Sequence, residues 1–313
     1  MANYILRRVI YILPLIVGVT IVNYILFNTV GGDPVLGYLG PQASQDQIEE
    51  LRHEMGLDRP WYFQILGDFK GYLTLNFGRS WETRERISEM IFRGMWPSLS
   101  LAVPAFVLTF ILAICVSMLA AFYHNTWVDR LLVLLSVVGM NVPVLAFIIA
   151  GQFVLAYQLR VFPISGYDFG LSSIPYVTLP VLIWVSVALG GDVRFYRTVL
   201  LNEMRQEYVT TAYAKGLGKI VVMFRHILKN ALIPILTQLV VEIPFLFMGS
   251  LLLENFFGIP GLGNMGINAI NAGDRPVLKA IVFIGAILFI LANLFSDLLY
   301  AIVDPRVKLG SNE

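Results

Sequence analysis

The sequence predicts an all-α polytopic membrane protein: six transmembrane helices, both termini cytoplasmic, and a long extracytoplasmic loop after the first helix. Three observations lead there. Hydrophobic residues make up 57% of the 313 positions and charged residues 14%, well below the charged share of a soluble domain. The mean hydropathy is +0.73. The apolar residues also gather in long blocks, and a run of roughly 18 or more crosses about 30 Å of hydrocarbon as a helix. Barrel strands alternate over about ten residues, which these blocks do not. With no water to satisfy the backbone, helices remain.

The blocks run from Ile10 to Val30, Ser98 to Tyr123, Leu131 to Leu159, Ile174 to Gly191, Ala231 to Phe256 and Val277 to Ile302. Arg7 and Arg8 ahead of the first would suit a cleaved leader. The run is longer than a usual leader core and no A-x-A-like site follows, so the helix is read as retained. In the loop 31–97, Ser44-Gln-Asp-Gln47 is a capping-box pattern ahead of Ile48, Leu51 and Met55, predicting a short amphipathic helix that ends near Gly56. Trp61, Tyr62, Phe63, Phe69, Tyr72, Phe77 and Trp81 make the rest of that loop aromatic. Two readings fit: a small packed cap on the membrane, or rings that simply settle at the interface.

The second and third blocks carry no charge. Pro104 and Asn141-Val-Pro143 mark breaks in them, and carbonyls freed by proline often line water-filled routes. The single cysteine, Cys115, excludes an internal disulfide and reads as a small buried hydrophobe. After the fourth block, residues 194–229 carry seven basic residues and a Gly216-Leu-Gly218 break between two helical stretches. That shape suits docking on another protein, and equally a juxtamembrane helix held by anionic lipid.

The fifth block places Gln238, Glu242 and Pro244 near mid-membrane. An ionisable group there is costly and tends to face a cavity or a partner. Glu242 is therefore assigned to the translocation route with Gln238 and Asn141, against an internal bond to a neighbouring helix. Glu254 and Asp297 lie nearer helix ends, where solvation is cheap, and Asp192 with Arg194 suits a surface ion pair. Orientation follows from the short loops: twelve Lys and Arg fall on the side of the termini against three opposite, which places both termini in the cytoplasm.

Enzyme signatures are absent. Gly218-Lys219 is followed by Ile220 with no phosphate loop before it, and His53, His124 and His226 are scattered. Gly261-Leu-Gly263-Asn-Met-Gly266 matches a dinucleotide fingerprint literally, but it follows a membrane helix and reads as a glycine-rich turn.

Tyr4-Ile-Leu-Arg-Arg8, Gly32-Asp-Pro34, Gly56-Leu-Asp-Arg-Pro60, Asn76-Phe-Gly-Arg-Ser80, Trp127-Val-Asp-Arg130 and Phe162-Pro-Ile-Ser-Gly166 follow one another along the chain. The stretches 208–217, 225–234, 254–263 and Asp304-Pro-Arg306 complete the series. With these the chain resembles the dipeptide, oligopeptide and nickel permeases of ATP-binding-cassette importers, specifically the first permease of their heterodimeric pair. The resemblance implies one transmembrane domain over 1–313, with 31–97 as an outer cap and 194–229 as a cytoplasmic coupling loop. It implies that Thr210, Thr211, Ala212, Lys215, Gly216 and Leu217 meet an ATPase groove. Many importers begin this motif with Glu-Ala-Ala, where this chain has Thr210, Thr211 and Ala212, so the acidic contact is missing.

The resemblance further implies a second permease, two cytosolic ATPase subunits that bind ATP and Mg, an extracytoplasmic solute-binding protein and membrane lipid as partners. It implies no nucleic acid, and no cofactor, metal or catalytic residue in this chain. The rival is an ion-gradient-driven carrier, which should show internal repeats and mid-membrane ionisable groups in both halves. Glu242 alone stands out here, and no clear repeat is seen.

Overall fold

The computed structural model describes residues 2–30, 35, 39, 44–54, 56–248 and 250–303. Among these it is built of helices without a strand; one isolated bridge joins Arg79 and Arg86. Helix α1 (Ala2–Tyr24) passes into a π-helical stretch to Val30. The segment that follows holds α2 (Gln45–Glu54) and α3 (Trp61–Leu73). Then come α4 (Ile87–Phe122), α5 (Trp127–Asn141), α6 (Val144–Gly151, continued as a π-helix to Gln158) and α7 (Ile174–Met204). After α8 (Glu207–Ala214) and the single turn α9 (Lys219–Val222), a π-helical stretch leads into α10 (Lys229–Met248). The chain closes with α11 (Leu251–Phe257), α12 (Leu262–Ala272) and α13 (Arg275–Val303).

Among the described residues three apolar helical stretches are long enough to cross a membrane: Ile87–Phe122, Gly170–Met204 and Lys219–Ile243. The pair α5 and α6, bent by 95°, is a fourth if it counts as one span. The bend falls at Val142-Pro143, where the missing amide and ring of proline end the preceding helix. Two helices outrun their apolar blocks, because their extensions are amphipathic and hydropathy alone does not detect them. Helix α4 starts at Ile87, burying Ile87, Ile91 and Gly94 while Arg93 faces out. Helix α7 runs on to Met204 through Arg194 and Arg197. Helix α10 passes through Pro244 and ends at Met248, so the fifth block is two helices.

The capping box is formed: the Gln47 amide donates to Ser44 Oγ and the Ser44 amide to Gln47 Oε1. Gly56, at φ +67°, ends the turn after α2. Tyr72 of α3 stacks on Phe283 with centroids 4.0 Å apart, and Lys279 bonds Asp68 of the same helix at 3.0 Å, so α3 is packed onto α13. Cys115 is exposed rather than buried, since the packed side of α4 there carries Ala113 and Ser117. Gly32-Asp-Pro34, Asp304-Pro-Arg306 and the side chains of Arg7, Arg8 and Asp297 lie outside the described residues.

Helix α4 is the spine. One row of its buried face, Gly94, Ser98, Ala102, Ala105, Thr109, Ala113 and Ser117, is small at i+3 and i+4 steps, the composition that lets membrane helices approach closely. It packs chiefly on α7 and touches three apolar clusters in succession. The first includes Ile87, Ile91 and Val277, the second Leu101, Ile148 and Leu179, and the third Ala113, Tyr196, Leu200 and Ile227. Helices α5 and α7 cross at backbone contact: a Cβ on Gly190 would stand 2.5 Å from the Ser136 carbonyl oxygen.

Candidate functional site

The segment after α7 folds back as a compact unit. Gln206 starts α8, and Val209 and Ala212 on its inner face are buried with Leu200, Val222, Met223 and Ile227. Gly216, at φ +82°, ends it. Its amide bonds the Tyr213 carbonyl, and the Leu217 amide reaches the Ala212 carbonyl at 3.3 Å. That pair of bonds is a Schellman end, which requires the left-handed conformation at the glycine, and Leu217 packs beside Ala212 as the accompanying apolar contact. The predicted six therefore divide by geometry: Thr210, Thr211, Lys215 and Gly216 are exposed, Leu217 is half-buried, and Ala212 faces inward to hold the helix. Beside the exposed set stand Tyr213, Ile220, Val221 and Phe224, large apolar side chains left open.

One polar tie fixes this unit to the end of α4, and a second joins α5 to α7. Lys219 Nζ donates to the Phe122 carbonyl at the end of α4 and lies 4.1 Å from the Phe122 ring centroid. A cation there also meets the negative end of the helix dipole. Arg197 of α7 clamps Asp129 of α5 bidentately, at 2.7 and 2.8 Å, with His124 Nδ1 3.2 Å from the same carboxylate and the Asn125 amide at 3.0 Å. Tyr208 donates to Glu203 Oε2; burial and the neighbouring carboxylate push its phenol up to about 12, so this donor keeps its proton. The Asp129–Arg197 pair was not singled out from sequence: its partners lie far apart in the chain, and only the Trp127-Val-Asp-Arg130 stretch drew attention to one of them.

In the membrane portion Glu242 and Gln238 lie one turn apart on α10, the first half-buried and the second exposed. Asp192 makes no ion pair with Arg194 among the described residues, since positions two apart on a helix do not face each other; it is half-buried. Asn141 ends α5 and turns its amide back on the Val137 carbonyl at 2.6 Å.

The largest departure is Glu254, which is fully buried rather than solvated. Ser98 Oγ donates to it at 2.7 Å and the Asn264 amide at 3.0 Å. Ser98 Oγ in turn accepts from the Leu262 amide at 2.8 Å. The carboxylate sits at the N-terminus of α12, against the positive end of that helix. Burial pushes its carboxyl up from the usual range, and the Ser98 hydroxyl and the amides of Asn264 and Gly263 pull the other way. The glycine pattern has this role: a Cβ on Gly261 would stand 2.4 Å from Glu254 Oε2, and one on Gly263 2.9 Å. Gly261 caps α12, and Gly263 and Gly266 lie within it, so most of the expected turn is helix.

Residues 113–309 match the family described as the binding-protein-dependent transport system inner membrane component, and residues 1–102 match its N-terminal companion. The chain is 31% identical over 332 residues to the dipeptide transport system permease protein DppB of Alkalihalophilus pseudofirmus, covering 98% of this chain and 100% of that protein. It is 30% identical over 308 residues to the glutathione transport system permease protein GsiC of Escherichia coli and of Salmonella typhimurium, covering 98% of this chain and 99% of theirs.

Proposed function

The chain belongs to the family of inner membrane components of binding-protein-dependent transport systems, and on that premise we propose that it forms half of a translocation pathway for peptides or a similar small solute, driven through α8. It is the transmembrane subunit of an ATP-binding-cassette importer. A solute-binding protein and ATPase chains are its partners in kind; one second permease and two ATPase subunits are the numbers proposed. ATP and Mg are bound by those ATPase chains. Dipeptides and glutathione are what the similar permeases are named for, and they define the size of cargo expected.

Six crossings are proposed, α1 and α13, of 23 and 29 residues, joining α4, α5 with α6, α7, and α9 with α10. Helices α11 and α12, of 7 and 11 residues, are too short to cross and belong to the outer side with α2 and α3. Both termini then lie in the cytoplasm with residues 194–229, and 31–97 forms the outer cap within a single domain.

One observation carries the coupling assignment. The inner face of α8 shares an apolar cluster with residues of α4, α7 and the start of α10, while Thr210, Thr211, Lys215 and Gly216 stay open beside Phe224 and Ile220. A partner that docks on the open face and moves therefore moves three membrane helices with it, because a packed core passes displacement on rather than absorbing it. Within the membrane, Glu242, Gln238 and Asn141 are proposed to meet solute during passage.

The test is purification from the native membrane through a C-terminal tag, in mild detergent with cross-linking. Recovery of a second permease with two ATPase chains supports the assignment, and loss of those chains on Thr211→Glu with Gly216→Pro places their contact on α8. Recovery of this chain alone would overturn it.

A further inference from the structure

A cavity lies where the residues around α3 meet the ends of α1 and α13. It holds about 340 Å³ and is lined by Arg59, Arg79, Arg275 and Lys279, with Asp68 as the one acid among its described lining residues. Lys279 is spent on Asp68, at 3.0 Å. Arg79 uses one guanidinium nitrogen on the Arg84 carbonyl, which leaves its charge uncompensated. Neither Arg59 nor Arg79 has a carboxylate within ion-pair distance among the described residues, although the loop 31–97 carries ten acids to seven bases. Among the described residues Arg59 and Arg79 therefore bring positive charge to this cavity against the trend of their own loop.

The surroundings narrow the ligand. Arg275 Nη1 donates to the Phe27 carbonyl at 2.7 Å, so the cavity sits at the level where α1 and α13 leave the apolar zone. Phe63 lines it, and Phe63 belongs to an α3 face that leaves Trp61, Tyr62 and Leu66 about half exposed or more. Aromatic side chains beside a basic pocket at a helix end match the headgroup level of a bilayer. We propose that this cavity binds the phosphate of an anionic phospholipid in the outer leaflet, with Arg59 and Arg79 as its ligands and the α3 face against the lipid body. The sidedness, though not the lipid binding, rests on the topology proposed above.

The test uses the purified importer complex, exchanged into detergent containing phosphatidylglycerol or phosphatidylcholine of identical acyl chains, with bound lipid counted by native mass spectrometry. Wild type is expected to retain phosphatidylglycerol in preference. Arg59→Gln with Arg79→Gln is expected to lower that preference roughly thirty-fold, at about fivefold for each charge removed. Lys70→Gln with Arg86→Gln removes the same charge from the same loop and is expected to leave it unchanged. Equal loss in both double variants would show nonspecific attraction and overturn the proposal. So would displacement of the lipid by millimolar inorganic phosphate, which would make the site one for a soluble oxyanion. Labelling of Arg79→Cys by a membrane-impermeant reagent only from the cytoplasm would refute the topology, while the mass-spectrometric result would stand.

Discussion

Replacing Glu254 removes an acceptor from a buried cluster of donors, and the cost can be worked from its bonds. Hydrogen bonds to a charged group contribute about 1.5–3 kcal/mol each. Glu254→Ala loses those from Ser98 at 2.7 Å and from the Asn264 amide at 3.0 Å, so a loss of about 3–6 kcal/mol is expected. Glu254→Gln keeps one acceptor but turns an NH₂ toward existing donors, and should cost about half as much. Gly261→Ala acts from the other side: its Cβ would stand 2.4 Å from both the carboxylate and Ser98 Oγ, and such overpacking costs about 1–3 kcal/mol. Once the carboxylate is gone, that methyl loses one of its two closest neighbours, and Ser98 is held by the Leu262 amide alone and yields more easily. The two costs should then fail to add, with a coupling of about 1–2 kcal/mol. Mixed-detergent unfolding of the purified complex, followed by tryptophan fluorescence, measures all three variants and the double. Costs that add to within about 0.5 kcal/mol would refute the close-approach account of Gly261.

Gly216→Pro requires φ near −65° where the chain holds +82°; uptake should fall to background with insertion and abundance unchanged, and normal uptake would count against the coupling assignment. Asp129→Asn and Arg197→Gln are each expected to destabilise by about 3–5 kcal/mol, the cost of an unpaired buried charge. The double variant should be milder than their sum, a cycle readable by the same unfolding assay. Gly190→Ala pushes α5 from α7 at the Ser136 carbonyl and should lower the unfolding temperature of the complex, whereas Gly191→Ala, with nothing within 4 Å of its Cβ, should not. Cys115, exposed on an apolar stretch of α4, should react with a lipid-soluble maleimide and resist a charged one; equal rates with both would put it in water.

Much of the architecture was legible because hydrocarbon is a severe solvent: a long apolar run has few alternatives to a helix. The Ser44 capping box, the Gly56 stop and the Gly216 break were legible for a different reason, as each is a local device whose partners lie within a few residues. Glu254 was misread because its position near the end of an apolar run says nothing about Ser98, which is 156 positions away and donates to it. The Asp192–Arg194 pairing failed likewise, since proximity in sequence is not proximity on a helix. The extensions of α4 and α7 escaped because amphipathic turns carry charge, and a hydropathy block stops where charge begins. Of the membrane residues assigned to the route, Glu242 and Gln238 lie a turn apart on one helix, while Asn141 turns back on its own.

The length of α4 sets a mechanical ratio. At 36 residues it measures about 54 Å, and its middle third is gripped by the cluster around Leu101 and Ile148. A rod held near its centre is a lever with a fulcrum. A tilt of about 5° would carry each end roughly 2 Å, in opposite senses. One end is tied through Lys219 to the segment after α8, and the other packs beside Leu262 and Val277. Displacing one end of such a rod would therefore move the other end in the opposite sense, with no signal passing between them.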